Sequence, residues 1–129
     1  MFRFIAGIFI MLHGLVHLLY SGHSRRLFEL QPGMTWPENS WAFSNVSGND
    51  TTRLIAGISC LLAAIGFVTC GIIMLIGQTW WQSMVIGTSA FSAIVFMLFW
   101  NGKMQNLDNQ GGIGLIINIA MIITSIILK

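Results

Sequence analysis

His13 and His17 are the residues of this sequence best suited to chemistry. They stand four apart inside the apolar run from Phe4 to Tyr20, so on a helix they share one face. An imidazole turned towards lipid is costly, so both rings need protein partners or a water-filled cavity. There they could hydrogen-bond a ligand, bind a metal or simply join helices.

The metal and redox uses meet obstacles. Two histidines on one helix cannot supply both axial ligands of a haem, because those ligands lie on opposite faces of the ring. A His13–His17–His23 metal site requires the chain to bend back after Ser21-Gly22. No Asp or Glu falls in an apolar stretch to complete a ligand set. Eight methionines could serve copper, but Met in an apolar helix is far more often packing. Ser59 or Ser92 as a nucleophile beside His13 lacks an acid to orient the imidazole. Cys60 and Cys70 are ten residues apart in one expected helix, about 15 Å along its axis. A disulfide needs Cα atoms within about 7 Å, so they do not pair, and no Cys-x-x-Cys supports thiol exchange.

The elements that must position these residues are apolar helices. Of the 129 residues, 55% are hydrophobic and 8% charged, and mean hydropathy is +0.78. A soluble domain carries about a quarter charged residues, so this composition belongs to a membrane. A net charge of +2 leaves no basic footprint for nucleic acid. Arg3 and the following run imitate a signal peptide, but no small-x-small cleavage site follows.

Transmembrane helices are expected over about 3–21, 53–77, 80–100 and 112–128, with a polar loop over 22–52. The first is near the lower limit for crossing ~30 Å of hydrocarbon. Gly7 and Gly14 form a stripe beside the histidines. Within the loop, Arg25-Arg26-Leu27-Phe28-Glu29-Leu30 predicts a short interfacial helix capped by Ser24. Gln31-Pro32-Gly33 would break it, and Trp36 and Trp41 suit the headgroup level. Asp50-Thr51-Thr52 offers an N-cap to the second helix. Along that helix Ala56, Ser59, Ala63, Gly66 and Cys70 make a small-residue face for close helix approach. Trp80 and Trp81 anchor the opposite interface. The expected fold is all-α: an integral membrane antiparallel four-helix bundle, one domain over 1–129, with the long loop between helices one and two. A literal count of Arg25, Arg26, Arg53 and Lys103 against Arg3 and Lys129 favours the long loop in the cytoplasm. Glu29, Glu38 and Asp50 offset its three arginines, however, and leave both orientations open.

Depth along the helices, at about 1.5 Å per residue, groups the polar side chains. From the long-loop side His17 comes about 5 Å in, His13 about 10, Ser59 about 8, Ser92 about 12 and Asn118 about 9 Å. All four helices thus supply a hydrogen-bonding group to one layer. A polar pocket opening towards the long loop is expected, with Tyr20 at its mouth and Arg25 and Arg26 above it to attract an anion. The opposing use of such groups is to tie helices together, at about 0.6 kcal/mol per bond.

Arg3-Phe4-Ile5-Ala6-Gly7 followed by His13-Gly14-Leu15-Val16-His17-Leu18 resembles the start of small prokaryotic four-helix membrane proteins of the DoxX-like group. The runs from Trp80-Trp81 to Phe99-Trp100 and from Gly114 to Asn118 are similar as well. The resemblance implies a multi-pass protein of the prokaryotic cytoplasmic (plasma) membrane and, at most, an accessory role beside quinone-linked redox complexes or a quinone-sized ligand.

The leading expectation is a non-enzymatic protein of the lipid bilayer. It binds a small hydrophobic or amphipathic ligand through His13, His17, Tyr20, Ser59, Ser92, Asn118, Arg25 and Arg26, or serves as a subunit of a larger membrane complex. Two alternatives stand beside it. One is a quinone-, haem- or metal-linked redox protein using His13 and His17. The other is a homo-oligomer whose polar layer lines a pore.

Overall fold

The computed structural model describes residues 1–30, 32, 34–104 and 111–128. Gln31, Gly33 and Lys129, used above for the turn and the charge count, lie outside these. All regular structure among the described residues is helical: α1 (Phe2–Ser24), α2 (Ser44–Leu75), α3 (Trp81–Phe99) and α4 (Gly112–Ile127). The first three are long and apolar enough to cross a membrane. At 16 residues α4 is shorter.

The helix ends differ from expectation. Past Ser21, α1 continues to Ser24, whose hydroxyl donates to Arg53 O in α2 instead of capping a helix. Residues 25–30 form a turn and irregular chain, not an interfacial helix, with Arg26 at φ 60°. Already at Ser44 α2 begins, and it is interrupted at Gly48, where φ is 79° and ψ 166°. The expected cap at Asp50-Thr51-Thr52 therefore lies within helix, and Thr52 Oγ1 bonds back to Gly48 O.

Consecutive helices pack together: α1 on α2, α2 on α3 and α3 on α4. The first contact is the most intimate, because glycines meet. A Cβ on Gly71 would stand 2.7 Å from Gly7 O, and one on Gly14 would stand 2.9 Å from the Phe67 Cβ. Small residues allow backbones this close, and in lipid such packing stands in for the hydrophobic drive. Ser21 and Ser24 add hydroxyl bonds to Gly57 O and Arg53 O of α2. By contrast, α1 and α4 bring no Cα pair within 8 Å of each other among the described residues.

The buried line of α2 is Ala56, Cys60, Ala63, Phe67, Cys70 and Met74. Its alternating steps of four and three residues are those of a coiled-coil seam. Gly66, placed above in a shared small face, lies against Thr88 of α3. Both cysteines are free and buried.

The described residues between Arg25 and Phe43 fold back over one end of the helices. Three donors there satisfy carbonyls at the end of α3: Ser40 Oγ to Leu98 O, Trp41 Nε1 to Met97 O and Trp41 N to Trp100 O. Such carbonyls have no partner inside their own helix. Trp41 stays exposed, as an interfacial residue should. Trp36 does not: it is fully buried among Tyr20, Phe96 and Phe99, with ring centroids 5.1, 6.0 and 6.4 Å away. The aromatic surface offered by those rings outweighs the headgroup preference of its indole.

Candidate functional site

The histidine face of α1 turns inward. His17 is 1% exposed and His13 6%, while Ser92 and Asn118 are fully buried. Four hydrogen bonds connect them. His13 Nε2 lies 3.0 Å from Asn118 Oδ1, Asn118 Nδ2 2.8 Å from Ser92 Oγ, Ser92 Oγ 2.6 Å from His17 Nε2, and His17 Nδ1 2.9 Å from His13 O.

One set of protons satisfies all four bonds with both rings neutral. The carbonyl of His13 only accepts, so His17 Nδ1 carries the hydrogen and its Nε2 accepts from the Ser92 hydroxyl. Ser92 has then spent its proton and must accept from the Asn118 amide nitrogen. Asn118 Oδ1 accepts in turn from His13 Nε2–H. A neutral, closed network suits an apolar interior, where an unpaired polar group is expensive. It also spans α1, α3 and α4 where α1 and α4 backbones stay apart. The cross-links are side chains, not close helix packing.

Phe67 of α2 fills the space beside both rings, with centroids 4.8 Å from His13 and 5.1 Å from His17. Phe96 lies 5.4 Å from His17. Gly14, between the histidines in sequence, lets α1 settle onto Phe67. Ser89, one turn before Ser92, is buried with its hydroxyl unpartnered.

No protein family, curated protein or solved structure matches this chain.

The other expected site residues lie elsewhere. Ser59 is half-buried and takes no part in the network. Tyr20 does not stand at an open mouth, because Trp36 and Phe96 pack on its ring at 5.1 Å each. Arg26 is engaged by Glu38 at 3.1 Å and Asp50 at 3.7 Å, and Arg53 holds the same Glu38 at 3.0 Å. Arg25 lays its side chain over Gly57. His23 is buried at the end of α1 and accepts from Leu30 N on Nδ1. It lines a polar cavity of about 380 Å³ with Arg26, Glu38 and Arg53. Among the described residues no three of His, Cys, Asp and Glu stand together to hold a metal, so His23 does not join His13 and His17.

The expected polar pocket over the layer is absent from the described cavities. The aromatic lid of Tyr20, Trp36, Phe96 and Phe99 takes its place. The space next to the layer lies on its other side. A slot of about 270 Å³ runs between α1, α3 and α4, lined by Phe2, Ala6, Phe9 and Ile10 from α1, by Trp81 and Val85 from α3, and by Ile117, Ala120, Met121, Thr124 and Ser125 from α4, with Met74 and Leu128. Ile10 and Met121 sit one turn from His13 and Asn118. The slot occupies the gap left where the α1 and α4 backbones stay apart. Its volume is near the lower end for ligand sites, ~300 Å³. Composition alone gave no sign of it, because its walls and the lipid-facing surfaces use the same residues.

Proposed function

We propose that this chain is a four-span antiparallel bundle of a prokaryotic cytoplasmic membrane that holds the tail of an amphipathic ligand between α1 and α4. The long polar segment between α1 and α2 closes one end. Consecutive helix contacts and the short link from Ile76 to Trp80 support that topology. The DoxX-like resemblance in the first helix favours the same setting.

The slot is the observation that carries the reading. A groove between helices in a bilayer is filled by a chain or it forfeits dispersion contacts along its walls. Thr124 and Ser125 are its polar lining, and neither has an acid or base beside it in the wall. That composition suits holding, not catalysis. His13 and His17 act by setting the width of the gap. Redox or metal chemistry through them would first have to break their bonds to Asn118 and Ser92. An oligomeric pore would need the same side chains turned towards a neighbouring copy.

Ala120 tests this. It lies in the slot wall and is exposed, so Ala120→Phe fills the slot without displacing core. Protein taken from phosphatidylcholine vesicles into mild detergent should retain about one lipid per chain by native mass spectrometry, and Ala120→Phe should retain none. Equal retention by both proteins would overturn the reading.

A further inference from the structure

We infer that the slot selects an anionic lipid, whose tail lies between α1 and α4 and whose headgroup is held by Arg3. The inference rests on the slot reading above.

Tail contacts cannot select a ligand here. Acyl chains are as apolar as leucine, so moving one from bilayer to slot gains little hydrophobic free energy. Selectivity must come from a polar group at the end of the slot. At its outer end the slot adjoins a second cavity of about 420 Å³; Phe2, Trp81 and Leu128 line both. The remaining walls of that cavity are Arg3, Thr79 and Gln82. A tail in the slot therefore has its head beside a guanidinium.

Among the described residues no acidic side chain compensates the charge there. Every described ion pair uses Glu38 or Asp50 with Arg26 or Arg53, beyond the opposite end of α1. Of the acidic residues, Glu29, Glu38 and Asp50 all fall in the segment after α1, and Asp108 follows α3. Arg3 is exposed and makes no hydrogen bond among the described residues. Its Nη1 rests against Gly77 in the turn between α2 and α3, 3.2 Å from where a Cβ would stand. A larger residue there would push the guanidinium away. The first turn of α3 carries no side-chain cap and opens on the same cavity through Trp81 and Gln82. Its free N–H groups also favour an anion.

The dimensions agree. From Phe2 to Ile10 the slot follows α1 for about 12 Å. One leaflet of hydrocarbon is about 15 Å deep. A chain whose headgroup lies at Arg3 thus ends near the His13–Asn118 bond.

The test uses vesicles of equal parts phosphatidylcholine and phosphatidylglycerol with identical acyl chains. The full-length protein is extracted into non-ionic detergent and its retained lipid counted by native mass spectrometry. Both headgroups offer Arg3 a phosphate, but the choline ammonium repels the guanidinium and leaves phosphatidylcholine without net charge. Phosphatidylglycerol should therefore be enriched about tenfold, about 1.4 kcal/mol. Arg3→Gln should bring the two lipids to parity, and Arg3→Lys should keep most of the preference. Arg3 is exposed, so neither change threatens the fold. Parity in the unaltered protein, or a preference that survives in Arg3→Gln, would overturn the anionic assignment and leave the slot standing. Retention of neither lipid, or retention unchanged by Ala120→Phe, would overturn the slot itself.

Discussion

Ser92→Ala is the sharpest probe of the buried network. Ser92 Oγ accepts from Asn118 at 2.8 Å and donates to His17 at 2.6 Å. Losing it orphans the Asn118 amide hydrogen and the His17 lone pair together. Side-chain bonds in transmembrane bundles average about 0.6 kcal/mol and reach about 1.7, so two lost bonds cost about 1–3 kcal/mol. Equilibrium unfolding in mixed micelles with rising dodecyl sulfate, followed by circular dichroism, measures the loss. The closed network makes a second demand. In an Asn118→Leu background, Ser92→Ala removes just the bond to His17, and its cost should fall by roughly half. A cost below about 0.3 kcal/mol, or full additivity with Asn118→Leu, would refute the reasoning.

Further outcomes follow from the packing. Gly71→Ala and Gly14→Ala force α1 off α2, since each Cβ meets helix backbone within about 3 Å; each should cost about 1–3 kcal/mol. Gly87→Ala is their control, because a Cβ there meets nothing within 4 Å. It should stabilise by up to about 1 kcal/mol in the same unfolding assay, from helix propensity alone. Trp36→Ala should cost about 3–5 kcal/mol and uncover Cys60, which shares its buried cluster. In a Cys70→Ala background, maleimide labelling of folded protein should be negligible with Trp36 and rapid without it. Unchanged labelling would mean that residues 25–43 do not seal this end.

The sequence reveals the polar layer better than it reveals the packing around it. Four-residue spacing puts His13 and His17 on one face, and lipid forbids that face from pointing outward. Depth then selects Ser92 and Asn118 as their partners. Ser59 fits the same depth but misses the network, because depth fixes height and leaves the angle about the helix free. The α2 seam keeps Ala56, Ala63 and Cys70 of the expected small-residue face, but Cys60 and Phe67 are buried in place of Ser59 and Gly66. Periodicity is a poor guide there, since core and lipid faces are both apolar. The expected face and the observed seam both advance by threes and fours, so spacing does not choose between them. Trp36 escapes for another reason. Its burial depends on Tyr20, Phe96 and Phe99, which come from distant parts of the chain, and local rules for indoles describe interfaces. The slot is harder still, because it depends on how far apart α1 and α4 stand, and no local pattern states that distance.

The direction of the four bonds among His13, Asn118, Ser92 and His17 has its own effect. Each donor hands on to the next acceptor, and the last returns to the backbone of the first residue. Local dipoles arranged head to tail around a loop largely cancel. An open string of the same groups would leave a positive and a negative end, each calling for water or a counter-charge. Closure lets this chain keep four polar side chains in hydrocarbon with little outward field. It also means that a proton added at His17 Nε2 would break the circuit, because that nitrogen must accept from Ser92.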